Sequence, residues 1–211
     1  ELFRLQNNQQ VSDIDNQSMD AFETGLRWRN QSTSMHVAVY QMQKEDVIFQ
    51  NTERQNVSGG ITDHQGAEFE FRHALNSQLS VNGHLSYAEH TYENNVALVN
   101  ADIKGNQIDT APEWMSQFSL LYRPNEKINA RLNWQYLDEY FLDPQNTAKY
   151  DGHSLLDFHI DYALSKQIKL SMHLMNLADT DYAERADFAF GNYRYFVGQP
   201  RRAFVNLVWN Y

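Results

Sequence analysis

The side chains best suited to chemistry are two histidines and an aspartate in one alternating segment. His153, Asp157 and His159 share a parity there, so a β-strand would send all three to the same face. Neighbours at i and i+2 on a strand are about 6.6–7 Å apart, whereas zinc needs ligand atoms at about 2.0–2.2 Å. Asp157 and His159 can meet that demand, but no third ligand is evident beside them. We therefore predict neither a metal site nor a cofactor.

Other signs of catalysis or nucleic-acid binding are missing from the sequence. It contains no G-x-S-x-G or H-E-x-x-H motif, which are the signatures of serine hydrolases and zinc proteases. It also has no cysteine, which excludes thiol chemistry. The formal net charge of −10 opposes nucleic-acid binding, which needs a basic face. We predict that the protein is not an enzyme and does not bind nucleic acid.

Arginines and tyrosines in long polar segments form a second group of candidates. Arginine pairs with carboxylate or catecholate oxygens, and tyrosine stacks and donates hydrogen bonds. We predict that the ligand-binding residues are in this group, namely Arg185, Tyr193, Arg194, Tyr195, Tyr92 and Tyr140. Phe196, His64, His90 and Tyr150 lie in similar positions. For each residue the competing interpretation is loop packing or contact with lipid headgroups.

The last eleven residues, RRAFVNLVWNY, indicate the element that must position such loops. Ala203, Val205, Leu207, Trp209 and Tyr211 share one parity and are apolar or aromatic. This period of two is typical of a β-strand with one apolar face. A final strand that ends on an aromatic residue resembles the C-terminal strand of bacterial outer-membrane barrels. We therefore predict an assembly signal at Val205, Leu207, Trp209 and Tyr211, read by the barrel-assembly machinery.

Eight earlier segments repeat this alternation, although the faces of the second are indistinct. The nine predicted strands are 18–30, 34–49, 64–73, 79–87, 114–122, 128–136, 156–164, 168–174 and 201–211. Short turns near Asn30, Asn76, Asn125 and Ser165 alternate with long polar segments, the longest at 176–200. Outer-membrane barrels show this asymmetry, with short periplasmic turns and long extracellular loops. Residues 1–17 are predicted to be an extracellular loop segment, and 18–211 to be barrel strands.

Charge and aromatic residues are also unevenly distributed over the predicted strands. One face carries the charges, at Glu23, Arg27, Glu68, Glu70, Arg72, Arg131, Asp157, Asp161, Lys169 and Arg202. A Lys or Arg facing the middle of a bilayer costs about 2–4 kcal/mol, so a charge-free face suits lipid. Aromatic residues gather at its two ends, as at lipid headgroup boundaries; they are Trp28, Tyr122, Tyr162, Trp209 and Tyr211 at one end and Tyr87, Trp114, Trp134 and Tyr136 at the other. We predict an all-β, antiparallel, up-and-down transmembrane barrel.

A soluble β-sandwich is the competing fold, because its core face would also be apolar. Its strands are usually near 5–6 residues, whereas those predicted here approach ten. A sandwich also has no need of two aromatic girdles. A soluble binding module is therefore kept as an alternative, as is a passive porin-like channel.

Several short segments add a family resemblance that covers nearly the whole chain. They are MNLADTDY at 175–182, AERAD at 183–187, GNYRY at 191–195, GQPR at 198–201, ETGLR at 23–27, YQMQKEDVI at 40–48 and HQGAE at 64–68. In order and spacing they resemble the barrel of TonB-dependent outer-membrane receptors, including that family's NLFD-x-x-Y segment and its G-x-P-R entry into the last strand. Each motif is weak alone, and their succession is what makes the resemblance specific.

The resemblance implies active uptake of a scarce nutrient, most often a ferric siderophore, across the bacterial outer membrane. The family's 22-stranded barrel surrounds an N-terminal plug and is driven by the TonB energy-coupling protein. The resemblance therefore implies that Arg27, Glu68, Glu70 and Arg72 face the lumen and the plug. This sequence has room for about nine strands and none for a plug, so we predict a C-terminal part of a barrel. Its partners would be outer-membrane lipid and the remainder of the receptor.

Overall fold

The computed structural model describes residues 16–50, 56–95 and 101–210, whose regular structure consists of thirteen β-strands. Within these ranges no helix is long and apolar enough to cross a membrane. Nine strands form one antiparallel sheet in which each strand pairs with the next along the sheet. They are β1 (Ser18–Arg29), β2 (Thr33–Gln50), β3 (Asn56–Ala74), β4 (Leu79–Tyr92), β5 (Trp114–Asn125), β6 (Ile128–Leu137), β9 (His153–Ala163), β10 (Ile168–Met175) and β13 (Arg202–Trp209). The nine-stranded, up-and-down sheet predicted from the alternation is thus confirmed.

The other four strands form two hairpins outside the sheet. One joins β7 (Tyr140–Phe141) to β8 (Lys149–Tyr150), and the other joins β11 (Ala183–Ala189) to β12 (Asn192–Val197). The predicted long loop at 176–200 therefore contains a hairpin. The predicted loop at 50–63 is also largely strand, although residues 51–55 lie outside the described ranges. Apolar and polar residues alternate along a strand only where its two faces meet different surroundings. In these segments both faces are polar, so the sequence does not alternate even though the main chains pair as strands.

The strand register keeps like residues on one face across the sheet. Phe69 lies opposite Val37 on β2 and Leu85 on β4, and Leu132 lies opposite Leu120 on β5 and Phe158 on β9. The same apolar face continues through β10 to Val205 and Leu207 on β13. Pairing also settles the indistinct second strand, since Met35, Val37 and Val39 lie opposite Phe71, Phe69 and Ala67. We call this surface the apolar face and the opposite one the polar face.

This apolar face is exposed. Leu26 is 71% exposed and Trp209 is 69% exposed, and no second sheet of the described residues packs across them. The larger buried apolar side chains lie instead at and among the long connections, in clusters around Tyr140 and Tyr92. A soluble sandwich would cover such a face with a second layer. The arrangement found among the described residues is that of a barrel wall.

The four short turns are alike in construction and lie at one end of the sheet. The side-chain oxygens of Asn30, Asn76 and Asn125 each accept the main-chain N–H groups two and three residues later, at 2.7–3.1 Å. The Ser165 hydroxyl accepts the equivalent pair at 3.1 Å. Asn and Ser favour turns because they satisfy the main chain locally. Each turn is thereby closed by its own first residue.

The sheet has two open edges. In the described part of the chain, β1 is paired only with β2, and β13 is paired only with β10. Val205, Leu207 and Trp209 of the predicted assembly signal lie on the exposed apolar face of β13. Tyr211, its fourth member, lies outside the described residues.

Candidate functional site

The candidate site lies at the end of the sheet opposite the four turns, where three long connections meet. They link β4 to β5, β6 to β9 and β10 to β13, and the last two carry the hairpins. The apolar face also changes character here. Its last apolar row crosses β2 to β5 at Val39, Ala67, Tyr87 and Trp114, and the next row on β2 to β4 is Gln41, Gln65 and Glu89. Residues beyond that row therefore lie outside the apolar band.

Tyr150 joins the two hairpin-bearing connections. Its hydroxyl oxygen accepts the N–H of Ala183 at 3.0 Å and lies 2.8 Å from Nδ1 of His153. The Tyr140 ring packs against it at 5.2 Å between centroids. Both tyrosines are buried, and this burial raises the pKa of each. Tyr140, a predicted ligand-binding residue, thus packs the loops together in this structure.

The β4–β5 connection is held to the same assembly by reciprocal hydrogen bonds. Asn146 donates to the carbonyl of Gln107 and accepts the Gln107 N–H, each at 2.9 Å. Asn106 donates to the carbonyl of Pro144 at 2.9 Å, and the Thr110 N–H donates to the Phe141 carbonyl at 2.7 Å. Because these bonds join main chain as well as side chains, the three connections form one unit.

Tyr92 supports that unit from the end of β4. It is only 2% exposed, packs in one cluster with Ile103, and donates its hydroxyl to Asp109 at 2.7 Å. Burial, followed by the nearby charge of Asp109, raises the pKa of Tyr92. Among the predicted ligand-binding residues, Tyr92 and Tyr140 are the two that the structure buries.

The four candidates on the β11–β12 hairpin divide between its two faces. Tyr193 and Tyr195 stack at 6.2 Å with an 11° angle between rings, next to Phe188 and Tyr150. Tyr195 remains 51% exposed. Together, Tyr193 and Tyr195 therefore present open ring surface at the loop end of the sheet.

The opposite face of the hairpin carries both arginines. Arg194 Nε contacts Asp187 Oδ1 at 2.5 Å, and Arg185 contacts Asp187 Oδ2 at 3.5 Å while lying over the Phe196 ring at 5.5 Å. One carboxylate therefore holds both guanidinium groups. The sequence predicted a loop at 176–200 and therefore did not show this division between faces. Only the register of β11 and β12 assigns each residue to a face.

Arg27, Glu68, Glu70 and Arg72 share the polar face of β1 to β3. Arg27 lies opposite His36, and Glu70 lies opposite both His36 and His84. Glu70 Oε1 is 3.7 Å from His84 Nδ1. Around Arg27, Glu70 and Arg72 runs an open groove of about 500 Å³, so these charges are accessible from the polar side.

The three residues first considered for metal binding have separate partners. His153 contacts Tyr150, Asp157 accepts the Asn176 N–H at 2.8 Å, and His159 contacts Asp161 at 3.2 Å. In the described ranges no group of three or more His, Asp or Glu side chains is arranged to hold a metal ion. The side chains of His153, Asp157 and His159 on β9 therefore do not meet at a common position for a metal ion.

A histidine pair across β3 and β4 was not anticipated from the sequence. His64 Nδ1 lies 2.8 Å from His90 Nδ1, on the polar face and three residues beyond Ala67 and Tyr87. Burial is the main cause that lowers the pKa of both, in His64 to about 4, with Lys44 adding to it. The two residues are 26 positions apart in the chain, so only the β3–β4 register reveals that they face each other.

Comparison with known proteins places this architecture. The sequence matches the family described as TonB dependent receptor-like, beta-barrel, over residues 2–177. A curated relative, the ferrichrome outer membrane transporter/phage receptor of Escherichia coli (strain K12), is 22% identical over 202 residues. That match covers 90% of this chain and 26% of the relative, so the chain spans about a quarter of the relative's length.

Solved structures show the same fold at low sequence identity. The ferric yersiniabactin uptake receptor FyuA from Yersinia pestis has a TM-score of 0.78 at 15% identity, over 92% of this chain and 30% of that one. The siderophore receptor PiuA from Acinetobacter baumannii has a TM-score of 0.76 at 17% identity, over 92% of this chain and 28% of that one. The nine-stranded sheet corresponds to part of each of these barrels.

Proposed function

Because the chain belongs to the TonB-dependent receptor-like β-barrel family, we propose that it is the C-terminal barrel portion of a receptor that takes up a ferric siderophore. Proteins of this family are β-barrels of the bacterial outer membrane, and that location applies here. The observation that carries the proposal is the apolar face shared by nine paired strands, eight of which lie inside the family match. Such a face suits contact with hydrocarbon.

The orientation follows from the two unlike ends of the sheet. In outer-membrane barrels the short turns are periplasmic and the long loops are extracellular. The turns at Asn30, Asn76, Asn125 and Ser165 would then face the periplasm, and the interlocked connections would face outward. Residues 1–15, most of the segment predicted to be an extracellular loop, lie outside the described residues. The polar face would line the lumen, where Arg27, Glu68, Glu70 and Arg72 would meet the plug of the whole receptor.

A siderophore is favoured as the ligand by the relatives and by the hairpin. The ferrichrome, yersiniabactin and PiuA receptors are named for iron chelates or siderophores. Tyr193 and Tyr195 offer exposed stacked rings, which suit a planar ligand. In this proposal Tyr193 and Tyr195 contact the ligand directly, and Arg185 and Arg194 supply positive charge from the other face. Tyr92 and Tyr140 hold the loops in place.

The remaining partners belong to the receptor as a whole. Energy would come from TonB through a part of the receptor outside these strands, and no catalytic step is needed. Val205, Leu207, Trp209 and Tyr211 would present the final strand to the barrel-assembly machinery. These roles agree with relatives that are transporters and receptors.

Uptake of radioactive iron by the source bacterium tests the proposal. The region encoding this chain would be deleted in frame, and ferric hydroxamate, catecholate and citrate complexes supplied separately under iron limitation. We expect uptake of one class to be lost and to return when the intact gene is restored. If every class is transported as before, the siderophore proposal is wrong. If uptake depends on the gene but persists with a protonophore, the protein is a passive channel.

Point variants of the hairpin test the proposed ligand contacts. Tyr195→Ala removes a stacked, half-exposed ring, whereas Phe190→Ala removes an exposed ring at the turn between β11 and β12. We expect Tyr195→Ala to weaken binding of the ferric complex about tenfold, since ring stacking contributes about 0.5–1.5 kcal/mol beyond its buried area. Phe190→Ala should leave binding unchanged, and equal affinities for the two variants would exclude this contact.

A further inference from the structure

We propose that His64 and His90 form a copper(II) site at the loop end of the polar face, distinct from the siderophore contacts proposed above. The two side chains stand directly opposite on β3 and β4, and their Nδ1 atoms are 2.8 Å apart. The rings are tilted by 60° with centroids 4.9 Å apart. Both nitrogens can therefore be directed at one ion from adjacent strands.

The two nitrogens already lie close enough for one ion to bridge them. Imidazole nitrogens lie about 2.0–2.1 Å from a bound divalent metal. The 2.8 Å separation is that of the hydrogen bond between them. With an ion in place of the shared proton and the nitrogens kept at that separation, the N–metal–N angle would be about 84–89°, whereas a tetrahedral angle would need them to move to about 3.3 Å apart. A right angle is typical of square-planar or tetragonal copper(II) and nickel(II). Copper(II) binds more tightly than nickel(II) or zinc at a given site.

A hydrogen bond with the buried Thr62 fixes the protonation of one of the two histidines. Thr62 Oγ1 lies 2.9 Å from Nε2 of His64, and Thr62 is among the most completely buried side chains. When this hydroxyl accepts the Nε2 proton, Nδ1 of His64 is left with a free lone pair. Such hydrogen bonds fix the tautomer of metal-binding histidines. His90 then carries its proton on Nδ1 in the metal-free form and transfers it to Nε2 when the ion binds.

The neighbouring strand adds one favourable and one opposing residue. Met42 lies directly opposite His64 on β2, and a thioether is a soft donor that suits copper better than zinc. Lys44, opposite Thr62 in the next row, is close enough to influence both histidines electrostatically. Its positive charge opposes a bound cation, so removing that charge should strengthen the site. Water would complete the coordination, because the pair lies beyond the apolar band.

The test is copper binding by the intact receptor purified from outer membranes. One equivalent of Cu²⁺ should give an electron paramagnetic resonance spectrum of the tetragonal type with coupling to two nitrogens. Competition with a chelator should rank the ions Cu²⁺, then Ni²⁺, then Zn²⁺. His90→Gln should weaken Cu²⁺ binding at least tenfold, and Lys44→Gln should tighten it. His84→Gln, on the same strand and face, is the matched control and should match the wild type.

Folding is checked by the mobility of each unheated variant on electrophoresis, so that loss of binding is not mistaken for loss of structure. The site is refuted if folded His90→Gln and His64→Gln bind Cu²⁺ as the wild type does. It is also refuted if Zn²⁺ binds more tightly than Cu²⁺, or if Lys44→Gln weakens binding. Siderophore uptake is measured separately, so that failure of either proposal leaves the other standing.

Discussion

Leu132 and Asn133 are consecutive residues on β6 that face opposite sides of the sheet. Leu132 lies on the apolar face between Leu120 and Phe158, and Asn133 lies on the polar face between Ser119 and Asp157. We expect Leu132→Lys to lower the free energy of unfolding by about 2–4 kcal/mol, because it places a charge in hydrocarbon. Phe158→Lys should act alike. The measurement is denaturant unfolding of the assembled receptor in lipid vesicles.

Asn133→Lys is the matched control for this prediction. Its new charge would face a polar surface and Asp157, so the charge itself should cost little. The substitution also removes the acceptor of the Ser119 hydroxyl, so we expect a loss of about 1 kcal/mol. Equal destabilisation by Leu132→Lys and Asn133→Lys would contradict the assignment of the apolar face to lipid.

Tyr92 should respond to pH differently from an exposed tyrosine. Its burial and the neighbouring Asp109 carboxylate raise its pKa, so the folded protein keeps its phenol protonated at pH values where exposed tyrosines ionise near 10. The stabilisation from this buried neutral phenol is complete below pH 10 and is lost as pH rises towards the folded pKa. At pH 11, Tyr92→Phe should therefore give the same tyrosinate absorbance as the wild type. An absorbance one tyrosinate lower in the variant would show that Tyr92 had ionised.

The alternation of residue types along the sequence predicted which face of the sheet some residues occupy. The charges at Arg27, Glu68, Glu70 and Arg72 were assigned to one face by parity, and the register puts them together. Parity cannot show which residues of different strands stand opposite each other. The 2.8 Å approach of His64 and His90 depends on the length of the β3–β4 turn and on the register that it sets. The pair was therefore out of reach from sequence.

At the scale of elements, the four turns make a direct prediction. Asn76 Oδ1 accepts the N–H groups of Gln78 and Leu79. Asn76→Ala leaves both donors to water, and we expect a loss of about 1 kcal/mol, similar to the loss of a helix cap. Ser77→Ala in the same turn is the control and should have little effect. Unfolding in lipid vesicles measures both, and equal losses would mean that the Asn76 side chain is not what closes the turn.

The loop connections make a second prediction at this scale. Asn146→Gly removes both hydrogen bonds that join the β6–β9 connection to Gln107, and glycine tolerates the φ of 57° at this position. We expect faster hydrogen exchange at residues 103–110, with unchanged exchange in β4 and β5, because a link between the loops is lost while the sheet keeps its own pairing. Gln145→Ala, at the preceding residue, should leave exchange as in the wild type. Unchanged exchange in Asn146→Gly would show that the other hydrogen bonds and the apolar contacts between the loops are sufficient to hold them.

Strand prediction succeeded where a strand separates two environments and failed where it does not. β5, β6 and β9 alternate strictly and were placed to within three residues at each end. The outer part of β3 and the β11–β12 hairpin lie beyond the last apolar row, where both faces are polar or packed on other loops. Their hydrogen bonds are made by the main chain, which leaves no periodic trace in side-chain type.

At the scale of the whole molecule, the nine-stranded sheet presents two unpaired edges among the described residues, at β1 and β13. An unsatisfied main-chain group in hydrocarbon costs several kcal/mol, so open edges do not persist in a membrane. We expect the 211-residue chain alone, refolded in detergent or vesicles, to lack the heat-modifiable mobility of a closed barrel. The complete receptor should show it. A compact, detergent-resistant form of the chain alone would mean that its own edges can be satisfied.

The similar construction of the four turns affects how the number of strands in such a barrel can change. Each hairpin is closed by a side chain at its own turn, and its two strands bring matching faces to their neighbours. Removing or duplicating a hairpin would thus leave the orientation of every other strand intact, whereas gaining or losing one strand would invert all that follow. If strands are gained or lost two at a time, as whole hairpins, the barrel can become wider or narrower while the other strands keep their sequences and orientation.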